Sequence, residues 1–334
     1  MKKINLLSIL CLLIINNALG QINVSQEERL DSIISKLERK SGGVIGVGAL
    51  NLETGTAYFY NKDIRFPMAS IIKIPVAVQL LYRVDKGEKS LSDMIEIKKS
   101  DLHPGSGIIV KYFEDLGIIL SLKNLMRLML IESDNTAADL CIKYAGGTKA
   151  VNVRLNEIGI EGMSVDRPTY VALAQYLGVK NVSENEEYDD KKVVEKLRKL
   201  TKEERDKAAE EFMNDLKDNS TPIAMVTLLE KIWNGKILSS ESTKLLLDVM
   251  KECNTGKSRI KGLLPDKTIV HHKTGTIGNV TNDAGIIILQ DDFGSIAIAV
   301  FIKNAKIDTK NSEKIIAQIS RALYDYFIFN ALVK

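Results

Sequence analysis

Ser70 and Lys73 stand three residues apart in the stretch Phe66-Pro67-Met68-Ala69-Ser70-Ile71-Ile72-Lys73. Pro67 and the small Ala69 precede them and an apolar run, Ile71 to Leu81, follows, so the spacing predicts the start of a helix. On a helix, positions i and i+3 share a face, and the hydroxyl and the amine can meet. A serine hydroxyl is a poor nucleophile until a base takes its proton. Lysine serves as that base only when its pKa is lowered, which burial, a helix N-terminus and a second cation all favour. The pair alone proves little. A Ser-x-x-Lys arises by chance about once in a chain of this length, and a second copy, Ser258 to Lys261, is read as chance.

Two more stretches change those odds. Ser133-Asp134-Asn135 lies between two apolar helical patterns, and Lys273-Thr274-Gly275-Thr276 lies on a strand pattern. Each tripeptide has a chance of under about one in ten in a chain this long. Both, in this order after Ser-x-x-Lys, form a coincidence on the order of one in a few hundred. The chemistry Ser70 and Lys73 offer is nucleophilic attack by a hydroxyl with a lysine base, and the two added stretches bring a further hydroxyl and a further cation.

The elements that would position them follow from pattern. A charged amphipathic helix covers residues 25–40, with Leu30, Ile33, Ile34 and Leu37 on one face. Gly42 to Leu50 and Thr56 to Tyr60 read as a hairpin across Asn51-Leu52-Glu53-Thr54-Gly55. From about 67 to 262 the periodicity is helical. Leu122 to Leu130, Ala137 to Ala145 and Ile223 to Ile232 are the clearest segments, and Gly146-Gly147 stops the second. Strands return at Thr268 to Thr274, Ala284 to Leu289 and Ser295 to Ile302, the last two joined across Asp291-Asp292-Phe293-Gly294. Residues 311–330 close the chain as a helix. Strands at both ends with helices between predict an α+β fold, one sheet built from both termini with an all-helical domain inserted. The boundaries are 21–66 and 263–334 for the two parts of the α/β domain and 67–262 for the helical domain.

Composition bounds the rest. The chain has 334 residues, 45% hydrophobic and 27% charged, with a net charge of +3. No basic block of nucleic-acid type and no stable membrane span is read in the mature chain. Residues 1–20 read as a signal peptide: Lys2 and Lys3, an apolar core from Ile4 to Ile15, and Ala18-Leu19-Gly20 before a cut at Gln21. That places the protein across the inner membrane, in the periplasm or outside the cell, as a monomer. Cys141 and Cys253 remain and are read as unpaired. His103, His271 and His272 bring no Cys/His cluster with them, so they are read as structural, with no metal and no cofactor.

The three motifs resemble the penicilloyl serine transferases, most closely the class A β-lactamases, whose motif set is Ser-x-x-Lys, Ser-Asp-Asn and Lys-Thr-Gly. The resemblance runs over about residues 43–166 and 218–303. It includes Asp101 to Gly107, Thr255-Gly256 through Leu263-Leu264-Pro265, and Asn282-Asp283-Ala284-Gly285. It implies a five-stranded antiparallel sheet flanked by the terminal helices beside the helical domain, with the site at their junction. It also implies roles. Ser70 attacks a β-lactam carbonyl, Lys73 takes its proton, and Ser133 passes a proton to the leaving nitrogen. The N–H groups of Ser70 and Thr276 form the oxyanion hole. Asn135 holds the substrate amide, Lys273 meets the substrate carboxylate, and Thr274, Gly275 and Thr276 line the binding strand. Asp134 holds the loop.

One part of the class A pattern is missing. A Glu-x-x-Leu-Asn should follow an Asp-Arg pair, and here Asp166-Arg167 is followed by Thr169. Asp218-Asn219-Ser220-Thr221-Pro222 resembles the far end of the same loop, so about fifty residues, 167–218, replace a short one. Arg167 and Asp218 are expected to anchor it. Residues 191–218 read as one or two solvated helices. Glu184, Glu186, Glu187, Glu210 and Glu211 are the carboxylates this insertion offers as a deacylating base. Three readings follow: a β-lactamase, a DD-peptidase of the penicillin-binding type acting on peptidoglycan stem peptides, or a sensor that stays acylated. The fate of the acyl-enzyme separates them.

Overall fold

The computed structural model describes residues 25–332 except 104, 114, 181 and 183–188. The signal segment 1–20 and Glu184, Glu186 and Glu187 lie outside the described residues. In chain order the first part comprises α1 (Gln26–Ser41), β1 (Val44–Asn51), β2 (Ala57–Tyr60) and β3 (Phe66–Pro67). A 3-10 turn, Ala69–Ile72, then leads into α2 (Lys73–Asp85). The helical part continues with β4 (Met94–Glu96), α3 (Ile109–Tyr112), β5 (Ile119–Ser121), α4 (Leu122–Ile131), α5 (Asn135–Tyr144) and α6 (Gly147–Glu157). The insertion supplies α7 (Thr169–Tyr176), α8 (Asp190–Lys199) and α9 (Lys202–Asn214). After it come β6 (Asn219–Ser220), α10 (Pro222–Trp233) and α11 (Ser240–Lys251). The chain closes with β7 (Val270–Ile277), β8 (Val280–Ile288), β9 (Ser295–Lys303) and α12 (Thr309–Leu332).

Local chemistry sets these limits. Ser25 and Glu28 form a capping box at the start of α1, and Gly42 ends it in the left-handed region at φ 66°. Thr221 caps α10 through the Ala224 N–H, with Pro222 at its first position, where the missing N–H costs nothing. Asp134 caps α5 through the Ala137 N–H.

The strands form one antiparallel sheet in the order β2-β1-β9-β8-β7. The fold is the α+β arrangement expected, with both chain ends contributing strands. Alternation along β9 shows how the sheet is covered. Ile296, Ile298, Val300 and Ile302 pack against α1 and α12, whereas Ala297, Ala299 and Phe301 face the helical part. Ala297, Ala299 and the glycines of β1 leave room on the second face, so helices come close to the sheet there. Gly46 and Gly48 of β1 sit under that approach. A Cβ at Gly46 would lie 2.3 Å from Cε2 of Phe66 and 2.9 Å from Pro222. Phe66 in turn stacks on Phe301 at 5.5 Å between ring centroids. The β3 strand carrying Phe66 and Pro67 is thus fixed against the sheet just before Ser70. It pairs with β6, from the far end of the insertion.

The thiols of Cys141 and Cys253 are buried and free. Replacing Gly46 by Ala should overpack this junction at a cost of about 1–3 kcal/mol. Thermal unfolding should show a Tm lower by several degrees, and an unchanged Tm would show that Phe66 and α10 have room to move.

Candidate active site

The nucleophile turn is held on three sides. Asn282 on β8 donates from Nδ2 to the carbonyls of Pro67 at 2.8 Å and Met68 at 3.2 Å. The Met68 N–H donates to the carbonyl of Asp218 at 2.9 Å. Against the turn runs β7, the edge strand of the sheet, and Gly275 allows the approach. A Cβ there would lie 2.4 Å from the Met68 carbonyl oxygen and 3.1 Å from the Ser70 nitrogen. The glycine is therefore a steric requirement that brings the Thr276 segment beside Ser70. Ala69 is pressed into the left-handed region at φ 49°, a strain that costs of order 1–3 kcal/mol.

Arg259 braces β7 from behind. Its guanidinium donates to the Gly275 carbonyl at 3.1 Å, the Asn282 carbonyl at 2.8 Å and the Thr276 hydroxyl at 2.6 Å. The Thr274 hydroxyl lies 2.5 Å from that of Thr255. Arg259 was visible in the sequence only as part of a linking stretch. Nothing in its spacing shows that it reaches two carbonyls on different strands.

The two lysines converge on one hydroxyl. Lys73 and Lys273 are both fully buried. Lys73 Nζ lies 3.2 Å from Ser133 Oγ and Lys273 Nζ lies 3.0 Å from the same oxygen. Lys73 also donates to the Ser133 carbonyl at 2.6 Å and to Asn135 Oδ1 at 3.0 Å, and Lys273 to the Thr274 carbonyl at 2.9 Å. The sequence predicted contact between Lys73 and Ser70. Among the described residues no hydrogen bond joins them; the Lys73 amine instead meets Ser133 and Asn135. Ser133 presents both its carbonyl and its hydroxyl by adopting φ 58°. Burial drives the Lys73 pKa well below its ordinary value, with the Lys273 charge next in size; Asp139 and Asp134 oppose the shift. Burial also lowers Lys273 to about 8, against the opposing pull of Cys253 and Asp283.

Asp134 ties the neighbouring loop, its carboxylate accepting from the N–H groups of Ile108 at 2.7 Å and Ile109 at 2.8 Å. The Asn135 N–H donates to the Ser106 carbonyl at 2.9 Å. The histidines are used structurally. His272 meets Asp283 at 2.9 Å, His271 Nδ1 lies 2.8 Å from the Leu247 carbonyl, and His103 stands 2.9 Å from Asp139.

A cleft of about 310 Å³ opens at this junction. Ser70, Asn135, Gly105, Ser106 and Thr276 form one side, and Thr169, Leu173, Tyr176 and Phe212 the other. Tyr176 and Phe212 meet edge to face at 5.7 Å. Phe212 comes from α9, so the insertion builds a wall of the cleft in addition to covering the body. Phe212 falls in the segment 191–218 that reads from sequence as solvated helix, and Tyr176 carried no signal at all.

Arg167 and Asp218, fifty-one positions apart, form a buried ion pair with Nε to Oδ2 at 2.5 Å. Asp218 Oδ1 also accepts from the N–H groups of Asp166 at 2.6 Å and Arg167 at 3.1 Å. Burial raises the Asp218 pKa, and the Arg167 charge opposes that rise. Among the cleft-lining residues described, Asp218 is the only carboxylate, and Arg167 occupies it. Glu210 and Glu211 are exposed on α9 and do not line the cleft.

Thr169 stands where the class A pattern has its glutamate. Its hydroxyl lies 2.7 Å from Asp139 Oδ2. Asp139 is a residue that sequence reasoning missed. It sits inside the apolar helix α5, in a segment read from sequence only for its apolar spacing. The structure buries it to 8% exposure.

A mixed fold with this sheet order, and a serine placed beside two buried lysines that share a hydroxyl, define a serine acyl-transfer enzyme class. The profile of the Beta-lactamase enzyme family matches residues 28–327, and the chain belongs to that family. Its relatives include Beta-lactamase VEB-1 of Pseudomonas aeruginosa, 30% identical over 91% of this chain and 92% of that protein. A β-lactamase of Bacteroides uniformis is 29% identical over 91% and 93%. Among solved structures, a β-lactamase from Chitinophaga pinensis superposes with a TM-score of 0.71 at 30% identity, covering 89% of this chain and 99% of that one. The TLA-1 extended spectrum β-lactamase gives 0.73 at 28% identity, over 91% and 100%.

Truncating Arg167 to Ala would leave the Asp218 carboxylate buried without a partner, at a cost of about 3–5 kcal/mol. Urea unfolding should show it as a shift in midpoint at constant slope. A loss under about 1 kcal/mol would mean that water or Gln175 replaces the guanidinium.

Proposed function

We propose that the protein is a serine β-lactamase that opens the lactam amide through an ester on Ser70. The observation that carries this reading is the position of Ser133 Oγ between the two buried lysines, 3.2 Å from Lys73 and 3.0 Å from Lys273. A lysine ammonium only donates hydrogen bonds. A hydroxyl that accepts from two such groups must aim its own proton elsewhere, and the cleft is where a leaving nitrogen would receive it.

Burial and Lys273 lower the Lys73 pKa, so the ammonium first releases a proton to solvent, and the neutral amine then takes the Ser70 proton as the hydroxyl attacks the carbonyl carbon. That proton passes through Ser133 to the lactam nitrogen as the C–N bond breaks. The N–H groups of Ser70 and Thr276 stabilise the oxyanion, a term for which one donor is typically worth about a hundredfold or more in rate. The close contact at Gly275 supports this pairing. Asn135 holds the substrate amide, Thr274 and Thr276 add hydroxyl contacts, and Lys273 meets the substrate carboxylate. Arg167 and Asp218 anchor the loop that backs the cleft.

Export rests on the signal pattern of residues 1–20, and it places the protein in the periplasm or outside the cell, as a monomer. None of the described helices is long and apolar enough to cross a membrane. A peptidoglycan stem peptide would use the same acylation machinery. Among the described residues no free carboxylate lines the cleft, which favours an acyl-enzyme that hydrolyses slowly.

Two measurements test the reading. With a chromogenic cephalosporin, stopped-flow should show a burst equal to the enzyme concentration followed by a slow steady rate, and peptide mass spectrometry should place the adduct on Ser70. Fast linear hydrolysis without a burst would reject slow deacylation, and a Ser70→Ala variant that still acylates would reject the nucleophile. Lys273 carries its charge below a pKa of about 8 and loses it above. The kcat/KM for carboxylate-bearing β-lactams should therefore fall as pH rises through that value. Lys273→Ala should cost roughly 1.5–3 kcal/mol in the same parameter and abolish that limb of the pH profile.

A further inference from the structure

The cleft contains one hydroxyl whose proton is already committed to a buried carboxylate. Thr169 lines the cleft together with Ser70. Its Oγ1 lies 2.7 Å from Oδ2 of Asp139 and 3.5 Å from the Asn135 carbonyl oxygen. A hydroxyl has one proton, and Thr169 gives it to the Asp139 carboxylate; the Asn135 carbonyl, at 3.5 Å, is too far to share it. Its lone pairs are left for a third partner, and the remaining direction is the cleft. Asp139 does not line the cleft itself. It is held on α5 and accepts from the N–H groups of Thr169 at 2.5 Å and Tyr170 at 3.1 Å, with His103 Nδ1 at 2.9 Å. The first turn of α7 therefore hangs from this carboxylate, and the Thr169 hydroxyl cannot turn away without giving up its partner.

We propose that Thr169, positioned by Asp139, activates the water that hydrolyses the Ser70 ester. The proposal rests on the acyl-enzyme reading above. A water that donates to Thr169 Oγ1 points a lone pair at the ester carbonyl. As its oxygen bonds to the carbonyl carbon, its proton moves to Thr169 Oγ1 and the Thr169 proton moves to Asp139 Oδ2. Collapse of the tetrahedral adduct breaks the bond from that carbon to Ser70 Oγ. The stored proton returns from Asp139 through Thr169 to Ser70 Oγ, and the product departs as a carboxylic acid that ionises in water. Charge and atoms balance, and no further reactant is needed. Two linked proton transfers replace the single transfer to a glutamate, and the receiving carboxylate already holds several donors. Turnover by this route is consequently slower than by direct transfer.

The alternative is that Asp139 only pins α7. Thr169→Val separates the two, because it keeps the backbone N–H contacts and the side-chain shape and removes only the hydroxyl. With the full chain and a chromogenic cephalosporin, the Val variant should acylate with the wild-type burst amplitude and rate. Its steady-state rate should fall by about a hundredfold, the lower end of what general-base help supplies. Thr169→Ser, which restores the hydroxyl, should recover the wild-type rate to within about threefold. Asp139→Asn should slow the steady state while intact mass still shows the adduct. Should the Val variant fail to fold, Thr169→Ala reads the same step. Wild-type turnover in Thr169→Val or Thr169→Ala, or a Ser variant as slow as the Val variant, overturns the relay alone. Wild-type enzyme that forms no Ser70 adduct overturns the acyl-enzyme reading and the relay together.

Discussion

Two buried lysines share one serine oxygen, and the rest of the site is arranged to make that tolerable. Taking an ammonium out of water costs several kcal/mol even after relaxation. Lys73 recovers part of it from the Ser133 carbonyl and Asn135, and Lys273 from the Thr274 carbonyl and Ser133. Ser133 can serve Lys73 with its carbonyl and both lysines with its hydroxyl only in the left-handed conformation. That conformation is stable because Asp134, next in sequence, caps α5 and holds the residue 108–109 backbone at the same time. The strain at Ser133 and at Ala69 is offset by packing around them. The functional consequence is a buried lysine with a lowered pKa hydrogen-bonded to the Ser133 hydroxyl.

The second constraint is the gap in the class A pattern between Arg167 and Asp218. A fifty-residue replacement has to close without loosening the nucleophile turn. It does so through one buried ion pair and a short strand pair, β3 with β6, which returns the chain to within a hydrogen bond of Met68. The remainder of the insertion folds back as α7 and α9, whose Tyr176 and Phe212 pack with Ile277 and Val280 at the sheet edge. The cleft therefore has an apolar wall where a free carboxylate would otherwise be sought, and a hydroxyl tied to Asp139 on its floor.

The motifs and the sheet were legible because they are written in local signals. Ser70, Lys73, Ser133, Asn135 and the Lys273 to Thr276 stretch were identified by type and spacing. Strand alternation and helix periodicity placed most elements, although β8 begins at Val280, four residues before the pattern suggested. The start was hidden because Thr281, Asn282 and Asp283 are polar residues buried for the site: Asn282 holds the nucleophile turn and Asp283 pairs with His272.

What the sequence by itself determined is the kind of chemistry, through three motifs that resemble a known family, and the α+β frame, through short-range period. Tertiary structure alone decided which partner each polar group takes. Lys73 bonds to Ser133, sixty positions away in the chain, and not to Ser70, three positions away. Arg259 reaches two strands, Asp139 takes the Thr169 hydroxyl, and Phe212 arrives from the insertion to wall the cleft. Each is a contact between segments distant in the chain. Its energy depends on burial and geometry that exist only once the sheet and the helical part have packed together.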